Sequence, residues 1–243
     1  MRVPDTRRHR GPHPQDADLF SEEIHETLRQ AVRDLSWLRT HGYAEPSALK
    51  LVGDRYQLRA RQRVAVGRCA CPDQAVAQRE SRRMKPQALE GMVLELDGLN
   101  VLTTVEVALA GGVLLLGRDG CMRDMASFHG NYRLVRETER AVEILLGVLD
   151  WMRPSEARIY IDRPVSNSGR LANTIRTAAK EHSVMVEAIL SDRVDETLKA
   201  SAGAVATADS AILDACGPWV NLARAAVEEH RLELDRFWLL DLA

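Results

Sequence analysis

Apolar residues recur at helical spacing early in the chain and change to short runs later. Between Ser21 and His41, the positions Ile24, Leu28, Val32, Leu35 and Leu38 share one face of a helix. Ser21 stands where an N-cap would, Glu22 and Glu23 set carboxylates against the positive end of the helix dipole, and Gly42 stops the element. Ser47 to Val66 also predicts helix, with Val52-Gly53-Asp54 as the point where it divides in two. A small all-helical domain over residues 21–86 follows. It stands behind an arm at 1–20 that carries Arg2, Arg7, Arg8 and Arg10 among prolines and is expected to be flexible.

Beyond Pro86 short apolar runs alternate with longer helical stretches, the signature of βαβ units and a mostly parallel sheet. Strands are predicted at Met92–Leu96, Val113–Leu116, Arg158–Ile161, Val184–Leu190 and Ala204–Thr207, which suits one five-stranded sheet. Helices are predicted at Thr138–Met152, Gly169–Glu181, Val194–Ala200, Ala211–Cys216 and Val220–Leu239. The second domain, residues 87–243, is therefore α/β.

Charge sharpens this division. The net charge of -2 conceals ten Lys/Arg against three Asp/Glu between Ser47 and Pro86, while residues 87–243 carry a net -8. Cations such as Lys50, Arg55, Arg59, Arg68 and Arg79 suit a phosphate backbone, which releases counterions on binding. They equally suit a solvated helical face neutralised by the acidic domain, and both readings stay open. The apolar stretch Val105–Gly117 is too short to span a bilayer, and the first twenty residues lack the apolar run of a secretory signal. A cytoplasmic protein is expected, with homo-oligomerisation open. The four cysteines form no disulfide framework, and Cys69-Ala-Cys71 lacks a second Cys/His pair at finger spacing.

The candidate chemistry lies at strand ends. The strand before Asp97-Gly98-Leu99-Asn100 ends in an aspartate, as does the one before Asp162, and Asp209 follows the strand ending at Thr207. In open α/β sheets such ends face the ligand crevice. Asp-Gly also suits a tight hairpin turn, which would be purely structural. Several carboxylates in one crevice repel by a few kcal/mol, and Mg²⁺ or Mn²⁺ relieves that while activating a water for phosphodiester cleavage.

Asp97-Gly98-Leu99-Asn100 resembles the opening D-G-x-N of NYN nucleases, a branch of the PIN-like fold. Asp195-Glu196-Thr197-Leu198 and Thr207-Ala208-Asp209-Ser210 are similar to that family's later D-x-x-L and T-x-D-S elements. The resemblance covers roughly residues 90–216. It implies a three-layer PIN-like domain, hydrolysis of RNA, and Mg²⁺ or Mn²⁺ held by Asp97 and Asp209 with Asp162 or Asp195. Asn100 would orient water or ligand beside Thr207 and Ser210. Where NYN proteins commonly continue D-S-D, this chain has Ala211, with Asp214 one turn on. The whole chain also resembles an uncharacterised prokaryotic family with a basic helical domain ahead of this C-terminal domain. Ser47–Arg55, Arg118-Asp119-Gly120 and Asp162–Gly169 carry that likeness.

Ser166-Asn167-Ser168-Gly169-Arg170 lies between a strand and a helix, where it is expected either to cap the helix or to hold a phosphate. Asp119, Arg123 and Asp124 form a second tier of candidates, and the histidines, His129 among them, suggest no mechanism. The chain lacks a Walker loop, a G-x-G-x-x-G fingerprint and a G-x-S-x-G elbow. Against the nuclease stand two alternatives: a non-catalytic nucleic-acid-binding protein, and a small-molecule phosphohydrolase using the same carboxylates.

Overall fold

The computed structural model describes residues 9–126, 132–230 and 237–243; Arg2, Arg7, Arg8 and His129 lie outside them. The first part is helical: α1 (Asp16–Leu19), α2 (Glu22–Thr40), α3 (Glu45–Arg55), α4 (Ala60–Cys69) and α5 (Asp73–Arg82). The apolar stripe of α2 buries Leu28, Val32 and Leu35 completely. Ser21 has the extended backbone of an N-cap, but its hydroxyl makes no capping bond, and Gly42 takes the left-handed φ of 82° that ends the helix. The division expected at Val52-Gly53-Asp54 falls instead after Arg55, where Gln57 adopts φ 52°. Gly53 stays helical, and the Arg63 guanidinium fills the space that a side chain there would need.

The arm is not a free tail from residue 9 onward. Phe20 is buried, Arg61 pairs with the fully buried Asp16, and Arg10 reaches the buried Glu106 at 3.0 Å. A buried carboxylate is costly without a cation or hydrogen bonds. Arg10 supplies the cation, and the Tyr132 and Thr138 hydroxyls donate to Glu106 at 2.5 and 2.6 Å.

The chain continues through β1 (Val93–Asp97), α6 (Gly98–Leu109), β2 (Val113–Leu116), β3 (Met122–Asp124), α7 (Thr138–Met152), β4 (Glu156–Asp162) and α8 (Ser168–Ala178). It ends with β5 (Val186–Ser191), α9 (Val194–Lys199), β6 (Ala204–Ala206), α10 (Ser210–Leu213), β7 (Trp219–Val220), α11 (Leu222–Glu229) and β8 (Trp238–Asp241). Five strands form one parallel sheet in the order β5-β4-β1-β6-β7. Its two faces bury different residues of the same strand, as the two-residue period of a strand requires. Ala204 and Ala206 pack with α6, α7, α8 and α11, whereas Val205 packs with Val194, Leu198 and Ile212 of α9 and α10. The α/β part thus has three layers.

Two expectations are corrected. Val113–Leu116 does not join the central sheet; β2 pairs antiparallel with β3 and parallel with β8, and β7 supplies the fifth central strand. The helix expected at Val220–Leu239 covers α11 only, because Trp238–Asp241 is a strand on β2.

The small sheet joins the two parts of the chain. Val113, Leu115 and Leu240 lie in the core of the helical part with Leu28, Val52 and Val66, while Leu114 and Met122 face Val107 of α6 and Val227 of α11. Helical part and α/β part therefore share buried surface rather than meeting through a linker.

Candidate functional site

Strand β1 has β4 on one side and β6 on the other, so successive connections run in opposite directions from it. Such a switch point opens a crevice at the carboxyl ends of the strands. Asp97 ends β1, Asp162 ends β4, and Thr207 and Asp209 follow β6.

Asp97 does not turn a hairpin. It is the N-cap of α6, its Oδ1 accepting from Asn100 N at 3.2 Å, and the chain enters the helix at Gly98. A Cβ on Gly98 would lie 2.8 Å from both Ile159 Cγ2 and Tyr160 O, so glycine is required by the close approach of α6 to β4. Asp97 is buried, and the Thr207 hydroxyl donates to its Oδ2 at 3.2 Å. Burial pushes its carboxyl up to about 7, against the pull of Asn100 and Thr207, and the charges of Asp209 and Asp162 push in the same direction.

Asn100 holds the loop after β6, its Oδ1 accepting from Ala208 N at 2.8 Å. Asp209 caps α10, and Ala211 N and Ile212 N both donate to its Oδ1, so Oδ2 takes no part in the cap. Asp162 is half-buried, and burial, followed by the charge of Asp195, raises its carboxyl. Asp195 itself is exposed in the first turn of α9.

A cleft of about 560 Å³ opens here, lined on the α/β side by Asn100, Thr103, Asp124, Asp162, Asp209 and Ser210. Arg39 and Glu45 at the α2–α3 corner, with Gly67 and Arg68 on α4, complete its lining from the helical part. Asp124 is buried, accepting from Ala126 N at 2.6 Å and from the Thr104 hydroxyl at 3.1 Å.

Asp119 and Arg123 prove to be buried framework. The Asp119 carboxylate receives both Arg123 terminal nitrogens, at 2.8 and 2.5 Å, and Arg79 of α5. Burial opposes its ionisation, yet Arg123 and Arg79 hold the carboxyl well below the usual range. Arg123 Nε donates to Ala208 O at 2.8 Å, and Arg79 also pairs with Asp214 at 2.6 Å. The pair therefore clamps the loop that carries Asp209.

The Ser166–Arg170 turn is braced by its own side chains. Asn167, at φ 65°, donates to Tyr132 O at 2.8 Å, and the buried Ser168 donates to Arg163 O at 3.2 Å. Neither makes a side-chain cap on α8, and Ser166 and Arg170 are exposed. Of the basic segment, Lys50 and Arg63 pair with Asp54, Arg68 and Arg79 reach Asp124 and Asp119, and Arg82 donates to Leu213 and Cys216 carbonyls. Much of its charge is thus met within the chain. Cys69 and Cys71 are buried, and burial pushes the Cys69 thiol up to about 12.

Among the described residues no three His, Cys, Asp or Glu side chains gather closely enough to hold a metal ion. The oxygen donors present fit a narrower case, a water-rich Mg²⁺ bound through one or two carboxylates. Arg39 and Thr103 are not candidates from sequence. Arg68 is one of the cations that suit a phosphate backbone, but nothing local in the sequence brings it to the sheet. No helix among the described residues is long and apolar enough to cross a membrane.

The family model described as "Domain of unknown function (DUF5616)" matches residues 86–225, and "Protein of unknown function (DUF434)" matches residues 27–82. The two matches divide the chain near Pro86, where its composition changes. An uncharacterized protein of Methanocaldococcus jannaschii, MJ0935, is 30% identical over 187 residues, which cover 77% of this chain and 89% of that protein. No solved structure matches. The chain belongs to the DUF5616 family, with a DUF434 region ahead of that domain.

Proposed function

We propose that this chain hydrolyses phosphodiester bonds of RNA in the cleft, using Mg²⁺ or Mn²⁺. The observation that carries the reading is the convergence of Asp97, Asp162 and Asp209 at or just past the ends of three adjacent parallel strands, where burial first, and then the charges of Asp209 and Asp162, raise the Asp97 carboxyl. Like charges kept together without a compensating cation point to a cationic ligand. Asp162 and Asp209 would hold the ion at the cleft, with Asp97 behind them. When bound, the ion supplies an activated water and charge stabilisation for the leaving oxygen.

The remaining groups prepare the site. Asn100 accepts from the Ala208 N–H and Arg123 donates to the Ala208 carbonyl, which together hold the backbone leading into Asp209, while Thr207 orients Asp97. The resemblance of Asp97–Asn100 and Thr207–Ser210 to NYN motifs supports RNA as substrate.

Purified protein is expected to cleave RNA with Mg²⁺ or Mn²⁺ and to lose cleavage in Asp97→Asn and Asp209→Asn. Activity that survives both changes sinks the proposal. The cleft volume of about 560 Å³ favours a second reading, hydrolysis of a small phosphate ester, since small-molecule pockets span this size. Turnover of a nucleotide with RNA left intact would select it.

A further inference from the structure

We propose that the cleft holds a second phosphate subsite, built from Arg39 and Arg68 of the helical part with the Thr103 hydroxyl of the α/β part, and that the ligand carries a second phosphate group there. The inference rests on reading the cleft as a phosphoester site.

Arg39 and Arg68 are only 19% and 31% exposed. Both are aimed by carbonyl oxygens: Arg39 donates to Ala70 O at 3.0 Å, and Arg68 to Asp124 O and, at 2.8 Å, to Ala126 O. A carbonyl orients a guanidinium without cancelling its charge, and each guanidinium has five N–H donors, so donors remain. Arg39 meets Glu45 at 3.1 Å, but Glu45 is half-exposed, where an ion pair is worth little. Arg68 lies 3.6 Å from Asp124, whose carboxylate is already bonded to Ala126 N and Thr104. Gly67 adds no side chain to this part of the lining, and a Cβ there would touch only Leu49, at 3.6 Å.

Thr103 is an independent observation. It lines the same cleft and is fully buried, yet its hydroxyl has no hydrogen-bond partner in the described structure. Buried hydroxyls are nearly always satisfied, so this one, shielded from solvent beside the cleft, is a group that a polar ligand atom seated there would satisfy.

The cleft lining thus offers Asp162 and Asp209 by the strand ends and, from the helical part, the guanidiniums of Arg39 and Arg68, each with a carboxylate beside it. A ligand with one phosphate can match only one of these pairs. Two phosphates on one ligand match both: one beside the carboxylates and their cation, the other on Arg39 and Arg68. Consecutive phosphates of a nucleic-acid strand have this form, and so does a free nucleoside bisphosphate.

Calorimetric titration of the full chain, in EDTA and in Mg²⁺, would compare adenosine 3′,5′-bisphosphate, adenosine monophosphate and a short ribo-oligonucleotide. The bisphosphate or the oligonucleotide is expected to bind at least about tenfold more tightly than the monophosphate. Arg68→Gln and Thr103→Val should remove most of that preference. Thr103→Val breaks no bond within the protein and should melt at the same or a higher temperature, which separates lost binding from lost folding. Tight binding of the oligonucleotide alone assigns the second phosphate to a strand, and of the bisphosphate alone to a small molecule. No preference for either over the monophosphate, or an undiminished preference in both variants, overturns the subsite. If the preference holds while no phosphoester is cleaved under any divalent metal, hydrolysis fails and the subsite stands.

Discussion

Thr207 donates its hydroxyl to Oδ2 of Asp97 across 3.2 Å, joining the ends of β6 and β1, the strands that flank the switch point of the sheet. The same oxygen of Thr207 accepts from Asp209 N at 3.1 Å, so one side chain sets both leading carboxylates. Thr207→Val keeps the shape and removes both bonds. It is expected to lower phosphoester turnover by about tenfold or more, with a stability cost near 1 kcal/mol, as measured by kinetics alongside urea unfolding.

Asp97 gives the fold a pH dependence with a definite sign. An unfolded aspartate ionises near 3.8, whereas the folded carboxyl keeps its proton until about 7. The folded state binds the extra proton, so stability falls as pH rises between those values, by as much as about 4 kcal/mol. Asp97→Asn should abolish that decline: in EDTA it melts above wild type at about pH 8 and close to it at about pH 4. Equal melting shifts at both values would refute the assignment.

His182 carries the opposite dependence. Burial opposes its charge, but Asp150 at 2.7 Å and Glu143 at 3.2 Å raise its pKa above 6.5. Its contribution is fully present below 6.5 and is lost as pH rises through the raised value, while Asp150, held below 3.8, loses its own share only as pH falls further. His182→Gln should therefore lower the melting temperature at about pH 5.5 and have a smaller effect at about pH 9.

Removing Asp119 leaves the buried Arg123, 9% exposed, without a carboxylate, and leaves Arg79, 2% exposed, with only the half-exposed Asp214. Asp119→Asn is expected to cost about 3–5 kcal/mol in urea unfolding, far more than loss of an exposed ion pair such as Lys50–Asp54.

Gly98→Ala forces a methyl against Ile159 and the Tyr160 carbonyl. A loss of about 1–3 kcal/mol is expected, with α6 displaced from β4 and reduced turnover. Unchanged stability would show that the helix can shift without strain.

Periodicity carried the reading where packing is local. The helix expected at Thr138–Met152 has those bounds, and the apolar face of α2 is the buried one. Asp97-Gly98 is ambiguous in sequence because an aspartate followed by glycine suits both a tight hairpin turn and a strand end that faces a ligand crevice. The choice is made by β4, whose surface Gly98 must approach. Pairing partners were invisible for the same reason: Val113–Leu116 has the pattern of a strand, but nothing in it distinguishes the central sheet from β8. Arg68 reads as one more surface cation until the small sheet brings Asp124 and Ala126 to it.

The pairing of β8 with β2 has a consequence for biosynthesis. The helical part emerges first from the ribosome, but its core lacks Leu240 and Leu242, and Phe20 lacks its edge-on partner Trp238, 6.4 Å away, until the far end of the described chain arrives. Those early helices must wait with apolar surface uncovered, a period in which long-range closure is slow and chaperone capture or aggregation competes. Ribosome-arrested chains ending before Trp238 should therefore be cut by protease within α2 to α4 more readily than chains released in full.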